Sequence, residues 1–272
     1  MKYIPFFLLL IIPFTGIAQL PADGYHRLGL QLGSQQSHVL DHQFSPLVYK
    51  ANELAAGICY EGKHNSSNWH LSMHLATGAL FPAQYPDRYV YNSEEDITGE
   101  ITTDSFLVSG TSRTILFSTG YTHDVIRKNG FELNIGASVR NQLMYPETFV
   151  NLGILNSASL LVSTSATWHL NSKSQFRGDL YIPVIGFNTR FPYSGTVSLP
   201  NQTLLEAFFD GGTRFVSFGQ YMQINFGASF RQMLSPKFAV GLRYDFMWQQ
   251  YRHPELLRSY AGSLKIALDY SF

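Results

Sequence analysis

A single cysteine, Cys59, occurs in 272 residues. Standing alone, it excludes an internal disulfide framework and any multi-cysteine metal site, and it reads as a small side chain packed in a wall or a lumen. Charge is scarce as well: Asp, Glu, Lys and Arg make up 14% of the chain, against about a quarter in a soluble domain. The 19 basic residues balance the 19 acidic ones and form no run, so the field that attracts a nucleic acid is missing. Long apolar stretches are missing too. Beyond the leader, no segment holds the ~20 consecutive apolar residues of a membrane helix.

Aromatic side chains are abundant, with 21 Phe and 16 Tyr, and hydrophobic residues reach 45%. Apolar content without apolar runs points to alternation, the pattern of a membrane β-barrel. There every second residue meets lipid, and aromatic girdles mark the two rims.

Residues 1–18 read as a secretory signal peptide. Lys2 gives the positive start, Ile4 to Ile12 the apolar core, and Gly16-Ile17-Ala18 the small residues that a signal peptidase inspects. The cut falls before Gln19, which leaves 19–272 as the barrel.

Ten runs in this remainder alternate with period 2, at about 24–34, 53–63, 69–81, 105–124, 131–143, 157–170, 175–190, 213–232, 238–250 and 264–272. Each reaches the ~9–11 residues that a tilted strand needs to cross a bilayer. The clearest sets Phe131, Leu133, Ile135, Ala137 and Val139 against Glu132, Asn134, Gly136, Ser138 and Arg140. Connections near 65–68, 127–130, 171–174 and 235–237 are short, whereas those near 35–52, 82–104, 146–156, 191–212 and 251–259 are long. Short periplasmic turns facing long outer loops produce that rhythm. The expected fold is a single antiparallel transmembrane β-barrel of ten strands, both termini periplasmic. Eight or twelve strands follow if 191–212 or the run at 105–124 is misread.

In the last run Leu264, Ile266, Leu268, Tyr270 and Phe272 share one face, while Lys265, Ala267, Asp269 and Ser271 share the other. This resembles the C-terminal strand of Gram-negative outer-membrane barrels, in which alternating hydrophobic residues ending in Phe are read by the barrel assembly machinery. The resemblance makes Leu268, Tyr270 and Phe272 the assembly signal. With the leader ending in Ala-Gln, the chain looks like an outer-membrane protein of the Bacteroidota type, and no narrower functional family is implied.

The inward faces carry Glu132, Arg140, Arg177, Asp179, Arg231, Arg243, Asp245, Lys265 and Asp269. Charges of both signs in a narrow barrel pair with each other most economically, so a lumen filled by a salt-bridge network is the expectation, with a narrow conduit for ions or small solutes as the alternative. His70 and His74 share an inward face without a carboxylate between them, which suits hydrogen bonding better than a metal.

Two rim chemistries merit comparison. His64-Asn65-Ser66 resembles the His-x-Ser pair of outer-membrane phospholipase A and lipid A 3-O-deacylase, in which imidazole takes the serine proton and the hydroxyl attacks an ester. It falls, however, in a turn on the periplasmic side. Omptin-type proteases need an Asp-His pair and acidic residues at the outer rim. Glu206, Asp210, His253 and Glu255 lie in outer loops, and His123-Asp124 runs in reversed order at the opposite end.

The 82–104 loop holds Tyr85, Tyr89 and Tyr91 near Glu94, Glu95 and Asp96, and the 191–212 loop holds Leu204, Leu205, Ala207, Phe208 and Phe209. The second cluster suits an inward plug, a seat on lipid headgroups or a protein partner. The functional expectation is a non-enzymatic structural or complex-forming barrel in contact with outer-membrane lipid, with an envelope protein as possible partner. A solute conduit and a barrel-rim hydrolase acting on lipid or peptide are the alternatives. No cofactor and no metal is implied.

Overall fold

The computed structural model describes residues 24–272 except 88, 96, 148–153 and 192–206. The signal-peptide reading of 1–18 lies outside the described residues, as do Leu204, Leu205 and Glu206. Alternation of apolar and polar side chains makes strands, and here it makes thirteen: β1 (Tyr25–Asp41), β2 (Ser45–His64), β3 (Ser67–Pro82), β4 (Tyr89–Glu95), β5 (Ile101–Leu107), β6 (Gly110–Lys128), β7 (Phe131–Met144), β8 (Leu155–His169), β9 (Ser174–Thr189), β10 (Thr213–Ser217), β11 (Tyr221–Met233), β12 (Phe238–Tyr251) and β13 (Leu257–Ser271). One π-helical turn, Ala207–Gly211, precedes β10.

Ten of these strands close an antiparallel barrel in the order β1-β2-β3-β6-β7-β8-β9-β11-β12-β13, and β13 pairs back onto β1 from Arg27↔Ser271 to Asp41↔Leu257. Closure gives each of these ten strands two neighbours, while β10 pairs with β9 alone among the described residues. Phe272 adds a last backbone bond to His26 at 3.0 Å, so the chain end is stitched into the seam.

The outer face is apolar over a defined height. On β12 the outward set runs from Phe238 through Val240, Leu242, Tyr244 and Phe246 to Trp248. Ten residues of strand cover ~33 Å, and a tilt of ~35–45° reduces this to ~25 Å, the height of a membrane-facing band. Aromatic rings mark both limits. At the end bearing the C-terminus, the near end, Tyr60 and Trp69 pack at 4.8 Å, Phe238 and Tyr270 at 5.1 Å, and Phe131 and Trp168 at 5.2 Å. At the far end His38 stacks on Tyr260 at 4.5 Å and Phe187 meets Phe215 at 5.6 Å. This is the architecture of an outer-membrane-type barrel.

Toward the far girdle and past it the polarity changes on β1. The outward residues of β1 become Ser34, Gln36 and His38, and Val39 turns inward to join Met144, Leu155, Val216, Tyr221, Tyr251 and Leu257 in an apolar core. The expected long loop at 35–52 is therefore strand, joined by the turn at residues 42–44, and the loop at 251–259 shrinks to residues 252–256. Above the membrane the wall behaves as a water-soluble barrel, so it needs no loop.

Two runs are broken. The run at 105–124 splits into β5 and β6, and β4 with β5 forms a separate two-stranded hairpin. The run at 213–232 splits at Phe218-Gly219-Gln220, where Gly219 has φ +107°. Opposite this break, Ile185 and Pro183 pair with consecutive residues Leu160 and Leu161 of β8. Proline has no N–H for the ladder, so a bulge is where it fits. In β10, Val216 is buried inside.

Candidate functional site

The near half of the lumen is filled with ion pairs. Lys63 Nζ on β2 lies 2.8 Å from Glu132 Oε2 and 3.1 Å from Asp124 Oδ2. Arg127 Nε and His169 Nε2 approach the other Glu132 oxygen at 3.4 and 3.6 Å. Glu132 on β7 thus accepts a hydrogen bond from Lys63 of β2 and lies close to Arg127 of β6 and His169 of β8.

A second set runs across the barrel with alternating sign. Arg27 pairs with Glu61. Glu61 Oε1 also takes Arg177 Nη1 at 3.3 Å, and Arg177 Nε bonds Asp179 Oδ1 at 2.7 Å. Asp179 Oδ2 meets Arg243 Nη1 at 3.4 Å, Arg243 Nη2 meets Asp245 Oδ1 at 2.8 Å, and Lys265 Nζ closes on Asp245 Oδ2 at 2.8 Å. The chain of charges links β1 and β2 through β9 to β12 and β13. It passes over β11 at Gly227, which pairs with Asp179 on one side and Asp245 on the other. A Cβ there would sit 2.9 Å from Arg243 Nη2 and 3.1 Å from Asp245 Oδ1, so a larger residue would displace these ladder side chains. Arg231 Nε and Asp269 Oδ2 form a separate pair at 2.9 Å.

The nine charged positions named from sequence are thus placed. Glu132 belongs to the first cluster, Arg177, Asp179, Arg243, Asp245 and Lys265 to the ladder, and Arg231 and Asp269 to their own pair. Arg140 is different. It is buried, its guanidinium lies 4.8 Å from the centre of the Tyr181 ring, and among the described residues no carboxylate pairs with it. Sequence reasoning missed Arg27, Glu61, Lys63 and Asp124, although each falls on the inward phase of its strand.

Spaces among the described residues interrupt this packing. A vestibule of about 480 Å³ opens at the near end among Arg27, Glu61, Glu132, Arg177 and Arg231. A chamber of about 130 Å³ lies deeper, among His74, Arg140, Gln142, Arg243 and Lys265, and His70 lines both. His70 and His74 are four residues apart, ~13 Å along an extended strand, so they do not share a metal, and no metal-ligating cluster occurs among the described residues.

At the far end, described residues of several connections pack together. Arg190 and Asp41, 1% and 0% exposed, form an ion pair. Arg190 Nη1 also donates to the carbonyls of Glu255 at 2.7 Å and His253 at 3.3 Å, while Gln43 Nε2 donates to the Phe191 carbonyl at 2.9 Å. Three connections are tied together beneath Ile154, Phe191 and Phe208, which are all buried. Phe208 thus packs inward, whereas Phe209 stays exposed. Burial pushes the Arg190 guanidinium below its ordinary value against the opposing pull of Asp41, and burial likewise lowers His253 and raises Tyr251.

The rim pairs do not assemble. His123 points outward while Asp124 points inward to Lys63, because neighbours on a strand face opposite sides. His64 and Ser66 flank a turn in which Asn65 has φ 54°, and among the described residues no hydrogen bond links them. Of Asp210 only the backbone is described, and the Glu255 carbonyl serves Arg190.

No known protein family and no curated protein matches the chain. Among solved structures it is similar to the outer membrane protease OmpT from Escherichia coli, at 6% identity over 95% of this chain and 99% of that one, with a TM-score of 0.42. It is also similar to Neisserial surface protein A at 6% identity, over 90% of this chain and 97% of that one, with a TM-score of 0.37. The toluene transporter TodX of P. putida gives 8% identity, 93% and 90% coverage, and a TM-score of 0.36. Likeness at these scores assigns no activity.

Proposed function

We propose that this chain is a non-enzymatic, integral outer-membrane barrel that serves the envelope as a structural, complex-forming protein, with its lumen largely filled by side chains. Its near end and both termini face the periplasm, and its far end faces outward. The Leu268, Tyr270 and Phe272 face of β13 is the signal for the assembly machinery, presented beside the seam that closes last.

The observation that carries this reading is the β4–β5 hairpin. It forms a sheet of its own, and among the described residues no third strand pairs with either edge. Tyr89, Tyr91, Ile101 and Leu107 are exposed on it, Tyr91 at 68%. A lone two-stranded hairpin is marginal in water, and open edges beside apolar side chains favour addition of a partner's strand. The partner is therefore an envelope protein with an exposed strand edge. Glu94 and Glu95 on β4 and Asp104 on β5 favour a basic surface there. The conduit alternative gains no support from a far end where buried apolar side chains pack together.

Gentle solubilisation from native membranes followed by crosslinking tests the proposal. The expected result is one stoichiometric protein partner, with recovery reduced about tenfold by Tyr89→Ser/Tyr91→Ser, a change of ~1.4 kcal/mol, in a barrel that still folds. A lone monomer, or a partner indifferent to the hairpin, overturns it.

A further inference from the structure

The mid-lumen chamber holds a buried cation, Arg140, that meets no carboxylate among the described residues. Lys63, Arg27, Arg177, Arg231, Arg243 and Lys265 each contact a carboxylate. Arg140 contacts none among the described residues, and it is only 7% exposed. Removing a cation from water is costly unless something replaces its hydration. The Tyr181 ring covers one face of the guanidinium, but Arg140 Nε has no hydrogen-bond partner.

The unsatisfied groups cluster. Ser118 Oγ, Gln142 Nε2 and His70 Nε2 are also buried without partners, and their side chains line the same chamber as Arg140. Gln142 is oriented by Gln223, whose Nε2 donates to Gln142 Oε1 at 3.0 Å, so the Gln142 amide N–H groups remain available as donors. Among the described residues, the only carboxylate on the chamber wall is that of Asp245. It already accepts from Arg243 and Lys265, so it is committed to cations other than Arg140.

We propose that this chamber binds one small anion, a halide or a compact oxyanion, with Arg140 as its principal partner and Gln142 and Ser118 as hydrogen-bond donors. The volume of about 130 Å³ suits an ion of that size and a few waters, at ~30 Å³ each. A guanidinium edge and amide and hydroxyl protons are the donor set that anions prefer. His70, which lines both spaces, marks the entry from the vestibule, where Arg27, Arg177 and Arg231 supply further positive charge. The site is thus reached from the near end.

Two measurements on the full barrel in detergent test the site. Crystals grown in sodium bromide should give an anomalous peak within hydrogen-bonding distance of Arg140. The midpoint of thermal unfolding, compared between nitrate or bromide and the bulkier gluconate at constant ionic strength, should rise with the small anion. Arg140→Gln should weaken that response about tenfold or more, as expected when a charged donor is lost, and Arg140→Lys should retain part of it. If Arg140→Gln does not fold, Gln142→Leu serves instead, with a smaller loss. Water alone in the chamber of bromide-grown crystals, or equal unfolding midpoints in all three salts, overturns the assignment.

Discussion

Arg190 shows how a single buried charge can hold three connections. Its partners are the Asp41 carboxylate and the carbonyls of His253 and Glu255. Taking away one member of such a pair leaves an uncompensated buried charge, at a cost of ~3–5 kcal/mol. Arg190→Met is therefore expected to loosen the far end by about that amount. Hydrogen exchange would show it as faster exchange at His42, whose N–H bonds the Leu256 carbonyl, with belt amides unchanged. Adding Asp41→Leu should restore most of the protection. Gly227 makes a complementary case. Gly227→Val would force a side chain between Arg243 and Asp245; overpacking of this kind costs ~1–3 kcal/mol, to be read as a lower unfolding temperature. A belt glycine lacking such contacts, Gly178, should tolerate alanine.

At the scale of the strand, the sequence was legible wherever one face meets lipid. Leu28, Leu30 and Leu32 alternate with Arg27, Gly29 and Gln31, and both the strand and its facing follow from that pattern. Legibility stopped where the solvent on each side changed. Past Leu32 the outward residues become polar, and soon the inward ones become apolar, as Val39, Tyr49 and Ala51 show. The phase reverses within one continuous strand, and a reversed phase reads as a loop. The β9 bulge at Pro183 and the break after Ser217 hid β10 in the same manner, since extra residues shift the phase without altering composition. Within the site, Glu61 and Lys63 alternate with Tyr60 and Gly62, so the signal was present. Asp124 was obscured by its neighbour His123, which invites a catalytic pairing that strand geometry forbids. At the seam, a Cβ on Gly33 would overlap the Leu264 carbonyl and Lys265 of β13. Gly33→Val is therefore expected to impair closure, lowering the fraction of chain that refolds into a heat-modifiable barrel severalfold.

At the scale of the whole molecule, the barrel is a wall with two interiors. In the membrane it is apolar outside and ionic within, and toward the far end an apolar cluster lies within. The salt-bridge ladder braces β1 and β2 against β9, β12 and β13, and a buried apolar cluster lies at the far end. Cys59 reports on this from inside. It faces the lumen beside Gln31, whose Nε2 lies 3.6 Å from its sulfur. A bulky maleimide should modify it far more slowly in the folded barrel than in urea, while a thiol reagent of methyl size should still enter from the vestibule. The central claim, a lumen closed to through passage, is tested most directly by conductance of the pure protein in planar bilayers. The account predicts a silent membrane for the native chain. Discrete, reproducible current steps from the native protein would contradict it.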